Sequence, residues 1–552
     1  MRIGLDLDNT LADYDGAFPR VARLLGIATA TITKRALKDE LRAAPNGDET
    51  WQRVQGLVYG RHVREAVPHE GVLEFVARAR LAGHDLWVVS HKTEFGHHDE
   101  SRTPLREAAT RWLAESGIVG DGAAQIPASR VRFADTRDAK VAAIAALDLD
   151  AFVDDLEEVL VHPGFPPATR RVWFVEPSVE RDAADAVAPP RAGADGVVRC
   201  TSWREVGDAL LGEPSVGEVA AMVAHEWPDA PVGAVEHVQG RGNSRIYRVE
   251  RGGVACALKM YPDLRHDPRP RRATEWAAVR ALGAAGLPVP AAIGTSESLN
   301  WSLFGWVDGA APAARDPDAL DAAIAFVDGL RALGRTGGLV AGPATEACLR
   351  PRDVLAQVDA RVARLARVDD AALAGLLRDE VVPARDERAA RARAALGAAW
   401  DAELPAARRI PSPSDFGFHN AVRGRDGRIT FIDFEYFGWD DPVKLVADLA
   451  LHPGSALDAG VRAAWLASMR ARFADDPTFG ARLDATLPLY AVRWALIALN
   501  EFLGDKAKNR RHARSRLGYD LRAHQAAQLA KARTMLTTPL PTTAGGSPGE
   551  LA

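Results

Sequence analysis

The decapeptide PSPSDFGFHN, residues 411–420, places Asp415 five positions before Asn420. The stretch TFIDFE follows, and in it Asp433 comes directly after a short apolar run. Between the two, the sequence GRDG (424–427) has the composition of a tight turn, which predicts a β-hairpin with Asp433 at its foot. A carboxylate, a carboxamide and a second carboxylate are therefore predicted to lie close together.

This spacing is that of a kinase catalytic loop. In such a loop the aspartate accepts a hydroxyl proton, while the asparagine and a later aspartate bind metal ions. Asp415 would then be the catalytic proton acceptor, and Asn420 and Asp433 would be metal ligands. Taken alone, the pattern also fits a loop in which Asp415 only caps a turn.

Upstream residues supply the other parts of a nucleotide site. Lys259, in the predicted strand CALKMY, corresponds to the lysine that holds the α- and β-phosphates of ATP, and Glu275 on the following helix could fix its position. Alternatively, these two residues form a surface ion pair. The turn QGRGNS could cover the phosphates with backbone N–H groups. Its candidate ATP contacts are Gly240, Gly242 and Ser244.

With these elements in the correct order, residues 216–536 resemble the aminoglycoside phosphotransferase and choline kinase family. Two later stretches strengthen the resemblance, FEYFGWDDPVKLVADL (434–449) and RWALIALNEF (493–502). The resemblance implies an α+β, protein-kinase-like, two-lobed domain that uses ATP and Mg²⁺. Its expected parts are an N-lobe over 213–310 and a helical C-lobe over 311–536.

The chain departs from the pattern of that family at two places. The family often has His-Gly before the catalytic aspartate, whereas Pro413 and Ser414 precede Asp415 here. Asp433 is followed by Phe-Glu rather than Phe-Gly. A kinase fold that binds ATP without turning it over is therefore one of the alternatives below.

The N-terminal part carries a different acidic pattern, GLDLDNT at residues 4–10. Five β-like runs alternate with helical patterns over the first 212 residues, which predicts an α/β domain with a parallel sheet. The runs are RIGLDL (2–7), DLWVVS (85–90), RVRFAD (130–135), AFVDD (151–155) and RRVWFVE (170–176). Polar side chains at the carboxyl ends of parallel strands should converge at one edge of the sheet.

The converging set is suited to removing a phosphate. Asp6 could attack phosphorus and form an aspartyl-phosphate, while Asp8 could protonate the leaving oxygen and deprotonate the attacking water. Mg²⁺ would neutralise the carboxylates and the phosphate together. The candidate metal ligands are Asp6, Asp8, Asp154 and Asp155, and the candidate phosphate contacts are Thr10, Ser90 and Lys140.

In the order of these motifs, residues 1–212 resemble haloacid-dehalogenase-superfamily hydrolases. The resemblance implies a Rossmann-like α/β fold with a helical cap inserted within about 13–82, and Mg²⁺-dependent phosphatase activity. His91 and Lys92, which follow the second-motif serine, either contact the substrate or are ordinary loop residues.

Composition argues against several other classes of protein. A net charge of −5 gives no overall attraction to nucleic acid, and the basic runs at 265–272 and 506–516 are interpreted as solvated. Three separated cysteines without a C-x-x-C pair argue against a zinc site and suit a reducing compartment. The absence of a long apolar run argues against a membrane span, so we expect a cytoplasmic protein. The run at 97–99 (His-His-Asp) is interpreted as loop and 537–552 as a disordered tail.

These features together predict a bifunctional enzyme that acts on small phosphoester and alcohol substrates. One half would phosphorylate a hydroxyl of a sugar, amino sugar or amino alcohol, and the other would remove a phosphate. Two alternatives remain at this point. One is a nucleic-acid end-processing enzyme, although the P-loop that its kinase half usually carries is absent. The other is a phosphatase joined to a kinase fold that only senses ATP. The sequence does not specify the oligomeric state.

Overall fold

The computed structural model describes residues 1–27, 29–96, 102–175, 196–238, 244–264, 267–313, 315–337, 341–503 and 521–540. Several predicted features lie outside these ranges: Gly240, Gly242, the run at 97–99, the basic run at 506–516 and residues 541–552 of the predicted tail.

The first part of the chain is built on a six-stranded parallel sheet. The strands of the parallel sheet are β1 (Arg2–Leu5), β4 (Asp85–His91), β5 (Val131–Ala134), β6 (Ala151–Asp154), β7 (Arg170–Phe174) and β8 (Val197–Cys200). Two short strands, β2 (Ala12–Asp13) and β3 (Val67–Pro68), form a separate pair. The order in the parallel sheet is β5-β4-β1-β6-β7-β8, and β2 pairs antiparallel with β3. This is the order of a doubly wound sheet, whose ligands bind at the carboxyl ends of the strands beside the first strand.

Among the residues described in this part, eight helices accompany these strands: α1 (Ala17–Leu24), α2 (Lys34–Arg42), α3 (Gly47–Tyr59), α4 (Val72–Leu81), α5 (Leu105–Glu115), α6 (Arg137–Ala146), α7 (Glu157–Leu160) and α8 (Trp203–Leu210). Helices α1 to α3 fall within the predicted cap and pack through aromatic side chains. Phe18 stacks on Trp51, with ring centroids 4.9 Å apart. The five predicted strands are all present. The sixth, β8, was not predicted because the short run VVRC follows a long polar segment.

The second part begins with a five-stranded antiparallel sheet of order β12-β13-β11-β10-β9. Its elements are α9 (Val216–Glu226), β9 (Val232–Val238), β10 (Arg245–Arg251), β11 (Val254–Met260), α10 (Arg271–Ala284), β12 (Ala292–Ser296) and β13 (Trp301–Gly305). The connection between α8 and α9, residues 211–215, is short, because Ser215 and Glu218 form a capping box that starts α9.

The rest of the chain is mainly helical, with two small sheets. The helices are α11 (Pro317–Arg335), α12 (Pro351–Leu365), α13 (Ala371–Leu376), α14 (Val382–Leu396), α15 (Pro442–Leu451), α16 (Ala459–Arg472), α17 (Phe479–Ala498) and α18 (Leu521–Thr537). The strands are β14 (Gly309–Ala310), β15 (Ile410–Ser412), β16 (Ala421–Gly424), β17 (Ile429–Phe431) and β18 (Gly438–Asp440). Strands β16 and β17 form the predicted hairpin. A sheet lobe followed by a helical lobe is the α+β arrangement expected for this part.

The two parts share a hydrophobic cluster rather than a free linker. Ala77 of α4 and Ala124 pack with Val219, Met222 and Val223 of α9. Among the residues that the structure describes, no helix combines the length and apolar character needed to span a bilayer.

The first strand depends on a close approach at Gly4. A Cβ atom at this position would lie 2.5 Å from side-chain atoms of both Leu149 and Phe152, which are buried. We therefore expect Gly4→Ala to lower the free energy of unfolding by about 1–3 kcal/mol through overpacking. Gly16→Ala is the matched control, because the nearest atom to its Cβ is the end of the Arg20 side chain at 3.7 Å. Urea unfolding of both variants tests this, and equal midpoints would contradict it.

Candidate active sites

The first candidate site lies where β1 and β6 end side by side. Asp6 follows β1 directly, and its N–H donates to the Val153 carbonyl at 2.9 Å, which extends the pairing with β6. Asp154 is the last residue of β6. Lys140 lies in the first turn of α6, a helix that starts there because the Thr136 side chain accepts from the Ala139 N–H. The two carboxylates and the lysine are thus delivered to one edge of the sheet.

A buried lysine joins the two carboxylates. Lys140 Nζ lies 2.7 Å from Asp6 Oδ1 and 2.6 Å from Asp154 Oδ2, and all three side chains are at most 5% exposed. Burial raises the pKa of Asp6 to about 7, against the opposing charge of Lys140. Although burial opposes it, the two carboxylates hold the pKa of Lys140 above its usual value. The cation therefore compensates a concentration of negative charge that would otherwise be costly to bury.

Two predicted phosphate contacts are buried hydroxyls without partners in the described part of the chain. Thr10 Oγ1 and Ser90 Oγ have no hydrogen-bond partner among the described residues, and both residues are at most 1% exposed. A buried polar atom without a partner is uncommon in folded proteins, and such atoms often face a bound ligand, ion or water molecule. The hydroxyls of Thr10 and Ser90 are available to an anion such as phosphate.

On the other side of this site, Asp8 is held by Lys92, which the sequence left as either a substrate contact or a loop residue, and by Tyr14, which the sequence did not indicate. Asp8 is bound by Lys92 Nζ at 2.8 Å and by the Tyr14 hydroxyl, also at 2.8 Å. Lys92 is only 3% exposed, so it is a buried partner of Asp8 rather than a free loop residue. The neighbouring His91 instead donates a hydrogen bond from Nε2 to the Asp135 carbonyl oxygen at 3.0 Å.

Helix α2 of the predicted cap also reaches this site. Lys34 Nζ donates to Asn9 Oδ1 at 2.6 Å, and Asn9 Nδ2 donates to Asp155 Oδ2 at 3.1 Å. Lys34 is far from both in sequence, so no motif signalled the contact. Carboxylate oxygens of Asp6, Asp154 and Asp155 lie within 4.8 Å of one another, a set of hard oxygen ligands that fits Mg²⁺. Asp8 is not part of that group.

The second candidate site centres on Lys259 in β11. Its Nζ lies 2.7 Å from Glu275 Oε2 and 2.6 Å from Asp433 Oδ1. Glu275 is on α10 and accepts hydrogen bonds from the Tyr261 hydroxyl at 2.8 Å and from the Phe434 N–H at 3.2 Å. Although burial opposes it, Asp433 and Glu275 raise the pKa of Lys259. The lysine–glutamate pair predicted from sequence is therefore present and buried, not a surface ion pair.

Glu435, the residue that stands where the family pattern has glycine, adds a third carboxylate. Its Oε2 is 3.1 Å from Lys259 Nζ, and its Oε1 is paired with the buried Arg271. Arg271 is also paired with Asp267. Glu435 therefore connects the lysine to the segment between β11 and α10.

Asp415 lies beside two histidines. Its Oδ1 is 3.3 Å from His419 Nε2 and 3.6 Å from His452 Nε2, and the two rings stack with centroids 3.4 Å apart. His452 Nδ1 accepts from the Gly454 N–H at 2.9 Å, so the proton of the neutral ring is on Nε2, facing Asp415. Although burial opposes it, His419 and His452 hold the pKa of Asp415 below its usual range.

The same three side chains are close enough to surround a metal ion. The hydrogen bond at Nδ1 of His452 argues against that use. A histidine that binds metal through one nitrogen usually donates a hydrogen bond from the other, whereas this nitrogen accepts one. The arrangement suits an ionised aspartate whose charge is favoured by two adjacent imidazole rings.

A buried lysine holds the loop in front of Asp415. Ser414 has a left-handed backbone, φ 61°, and its hydroxyl donates to the Thr345 carbonyl at 2.7 Å. Lys444 Nζ donates to Ser414 Oγ at 2.8 Å and to Asp448 Oδ2 at 2.9 Å, and its side chain is fully buried. The Pro-Ser departure from the family pattern is thus accommodated by a lysine on α15.

The remaining predicted residues lie around this loop. Asn420 Nδ2 donates to the Asp415 carbonyl at 3.0 Å, and the Asn420 carbonyl accepts from the Ile432 N–H at 2.9 Å. The hairpin therefore brings Asp433 back towards Asn420, and their oxygens fit Mg²⁺ chemically. Ser244 is buried, and its Oγ has no hydrogen-bond partner within the described ranges.

Comparison with protein families gives one match. Residues 234–481 match the model of the phosphotransferase enzyme family, and this span includes Lys259, Glu275, Asp415, Asn420 and Asp433. The C-terminal part of the chain is therefore a phosphotransferase-family domain with a kinase-like α+β fold. None of the curated proteins matches the chain.

Several solved structures are similar to the chain over 58–59% of its length. One is a choline/ethanolamine kinase family protein from Mesorhizobium loti, with 20% identity, 95% of that chain covered and a TM-score of 0.40. Another is the choline kinase LicA from Streptococcus pneumoniae, with 13% identity, 97% covered and a TM-score of 0.38. A third is a mutant of aminoglycoside phosphotransferase APH(4)-Ia with ADP and hygromycin B, with 18% identity, 99% covered and a TM-score of 0.40.

The buried charges around Lys444 give a stability prediction. Lys444→Met should lower the free energy of unfolding by about 3–5 kcal/mol, because it leaves Asp440 buried without its cation and Asp448 with only the more distant Arg493. Arg378→Met is the control, since its pair with Asp379 is exposed to solvent. Urea unfolding should show a large shift of the midpoint for the first variant and none for the second. Similar midpoints would show that Lys444 does not compensate these carboxylates.

Proposed function

We propose that the protein is a bifunctional enzyme of small-molecule phosphoryl transfer. Its C-terminal domain would use ATP to phosphorylate a hydroxyl of a sugar, amino sugar or amino alcohol. Its N-terminal domain would act as a haloacid-dehalogenase-like phosphatase. The observation that carries the kinase proposal is the Lys259 ammonium held between Glu275 and Asp433, inside the span that matches the phosphotransferase family.

For the kinase half, Asp415 is the group suited to accept the proton of the attacking hydroxyl. Its ionised state is favoured by His419 and His452, so it can orient a hydroxyl by accepting a hydrogen bond. Lys259 would exchange the Asp433 contact for the phosphates of ATP. Mg²⁺ would be held by Asn420 and Asp433, and it supplies neutralisation of the charge on the phosphates.

For the phosphatase half, Asp6 is the candidate nucleophile. It emerges at the end of the first strand, where Lys140 positions it and offsets its charge. The hydroxyls of Thr10 and Ser90 are suited to hold phosphate oxygens, and Asp8 could transfer a proton to and from the leaving group. Mg²⁺ would be held by Asp6, Asp154 and Asp155. It would reduce the repulsion between the Asp6 carboxylate and the negatively charged phosphate.

A kinase and a phosphatase acting on one hydroxyl would only hydrolyse ATP. The two activities are productive together if they act on different positions of one molecule or on consecutive intermediates. Phosphorylation of the anomeric hydroxyl of a sugar phosphate, followed by removal of the distal phosphate, is one sequence of this kind. The product would be a sugar 1-phosphate ready for nucleotide activation.

The two activities should be lost separately. Asp6→Asn should lower hydrolysis of a generic phosphomonoester by about three orders of magnitude or more and leave acceptor-dependent ATP consumption intact. Asp433→Asn should abolish acceptor-dependent ATP consumption and leave phosphomonoester hydrolysis intact, because the proposed metal ligand of the kinase half is removed. Steady-state assays of both variants on both reactions provide the test. Equal loss of both activities in either variant would show that the halves are not independent sites.

Ser414 should matter for turnover as well as for stability. Glycine accepts a φ of 61° without strain, but the lost hydroxyl leaves Lys444 and the Thr345 carbonyl short of a buried partner, so Ser414→Gly should lower the free energy of unfolding by about 1–3 kcal/mol. It removes the hydroxyl that joins the loop to Lys444, so the kinase kcat should fall by about ten- to hundredfold with little change in KM for ATP. Asp148→Gly, at an exposed position with φ 49°, is the control. An unchanged kcat in Ser414→Gly would refute the role of this hydroxyl.

A further inference from the structure

The N-terminal domain contacts the kinase-like domain on the segment that joins Lys259 to Glu275. Arg204, on α8, donates from Nη2 to the Tyr261 carbonyl at 2.7 Å. Glu70, directly before α4, accepts from the Leu264 N–H at 2.7 Å. Both contacts fix backbone groups of the connection between β11 and α10. The first domain therefore binds two backbone groups of the chain between the lysine and its glutamate.

Tyr261 transmits this contact to the lysine–glutamate pair. It is 1% exposed, its hydroxyl donates to Glu275 Oε2 at 2.8 Å, and Lys259 Nζ lies 5.2 Å from the centre of its ring. The same residue thus binds Arg204 through its backbone and Glu275 through its side chain. A shift of the Tyr261 backbone would move the hydroxyl that orients Glu275.

The same turn of α8 also contacts the first candidate site. Trp203, next to Arg204, donates from Nε1 to the Thr10 carbonyl at 3.0 Å and is 1% exposed. Thr10 is one of the candidate phosphate contacts. Two consecutive residues of α8 therefore bind the loop of one site and the Lys259 segment of the other.

We propose that Arg204 of the N-terminal domain is a positioning residue of the kinase-like site. By holding the Tyr261 carbonyl, it keeps the Tyr261 hydroxyl on Glu275 and thereby keeps Lys259 in place for the phosphates of ATP. The N-terminal domain is then a structural component of the kinase, in addition to any activity of its own. This inference rests on the proposed kinase function of the C-terminal domain.

A second arginine at the same domain contact supplies a matched control. Arg78 of α4 binds Glu218 at 3.1 Å and the Leu211 carbonyl at 3.4 Å, so it reaches α9 and the residue directly after α8. Both of these partners lie away from the segment between β11 and α10 in the chain. Replacing Arg78 therefore removes a domain contact without removing either partner of the hydrogen bond between Arg204 and Tyr261.

The test compares Arg204→Met with Arg78→Met in the full-length protein. Arg204→Met should raise both the KM and the dissociation constant for MgATP by about tenfold, and kcat/KM for ATP should fall by the same factor. Residues that act through a neighbour have effects of this size. Arg78→Met should leave these constants unchanged even where it lowers the unfolding midpoint. Arg204→Lys, which keeps a donor, should restore most of the ATP affinity. Equal effects of the two methionine variants would overturn the proposal.

A double-mutant cycle that combines Arg204→Met with Tyr261→Phe tests whether Arg204 acts through the Tyr261 hydroxyl. Tyr261→Phe removes the hydroxyl from Glu275 and leaves the carbonyl contact with Arg204. If Arg204 acts through Tyr261, the double variant should lose little more MgATP affinity than either single variant, whereas additive losses would overturn the path. Binding is measured by calorimetry, so the cycle gives a result even without turnover. Absence of acceptor-dependent turnover in the wild type would contradict the proposed kinase function and leave the binding result to decide on Arg204.

Discussion

The compensation of buried carboxylates by a single lysine is the constraint on which both candidate sites depend. In the first, Lys140 lies between Asp6 and Asp154. In the second, Lys259 contacts the buried carboxylates of Glu275 and Glu435, with the partly exposed Asp433 beside it. Burying such charges is costly unless each is paired, and removing the cation leaves its partners uncompensated. Each site therefore holds its acidic groups close together around one ammonium group.

The same principle extends from the sites to the loops around them. Lys444 holds the left-handed Ser414 in front of Asp415, and Lys92 holds Asp8. In both cases a buried ammonium group is bound to a residue at or directly before a candidate catalytic aspartate. The two halves differ in fold, yet each orients its acidic residues with cations delivered from an adjacent element. Near Asp415, the position that holds glycine in the family pattern is occupied by Ser414, whose hydroxyl is bound by Lys444.

Sequence patterns predicted the groups that lie at strand ends or at fixed motif spacings. Asp6, Asp154 and Lys140 converge as expected, because parallel strands end at one edge of a sheet. The pairing of Lys259 with Glu275 was also predicted. The supporting residues were not predictable, since they meet only after tertiary packing. Lys34 contacts Asn9 across the cap, Lys444 contacts Ser414 from a later helix, and Arg204 contacts Tyr261 across the domain boundary.

The most direct measurement of the central claim is to trap the product of the kinase half. The Asp6→Asn protein would be given Mg²⁺ and ATP labelled on the γ-phosphate, with a library of sugars, sugar phosphates and amino alcohols, and labelled products would be followed by mass. The account predicts a labelled phosphorylated product that the wild type then shortens by one phosphate. Bound ATP without any labelled product would contradict it and indicate a kinase fold that only senses the nucleotide.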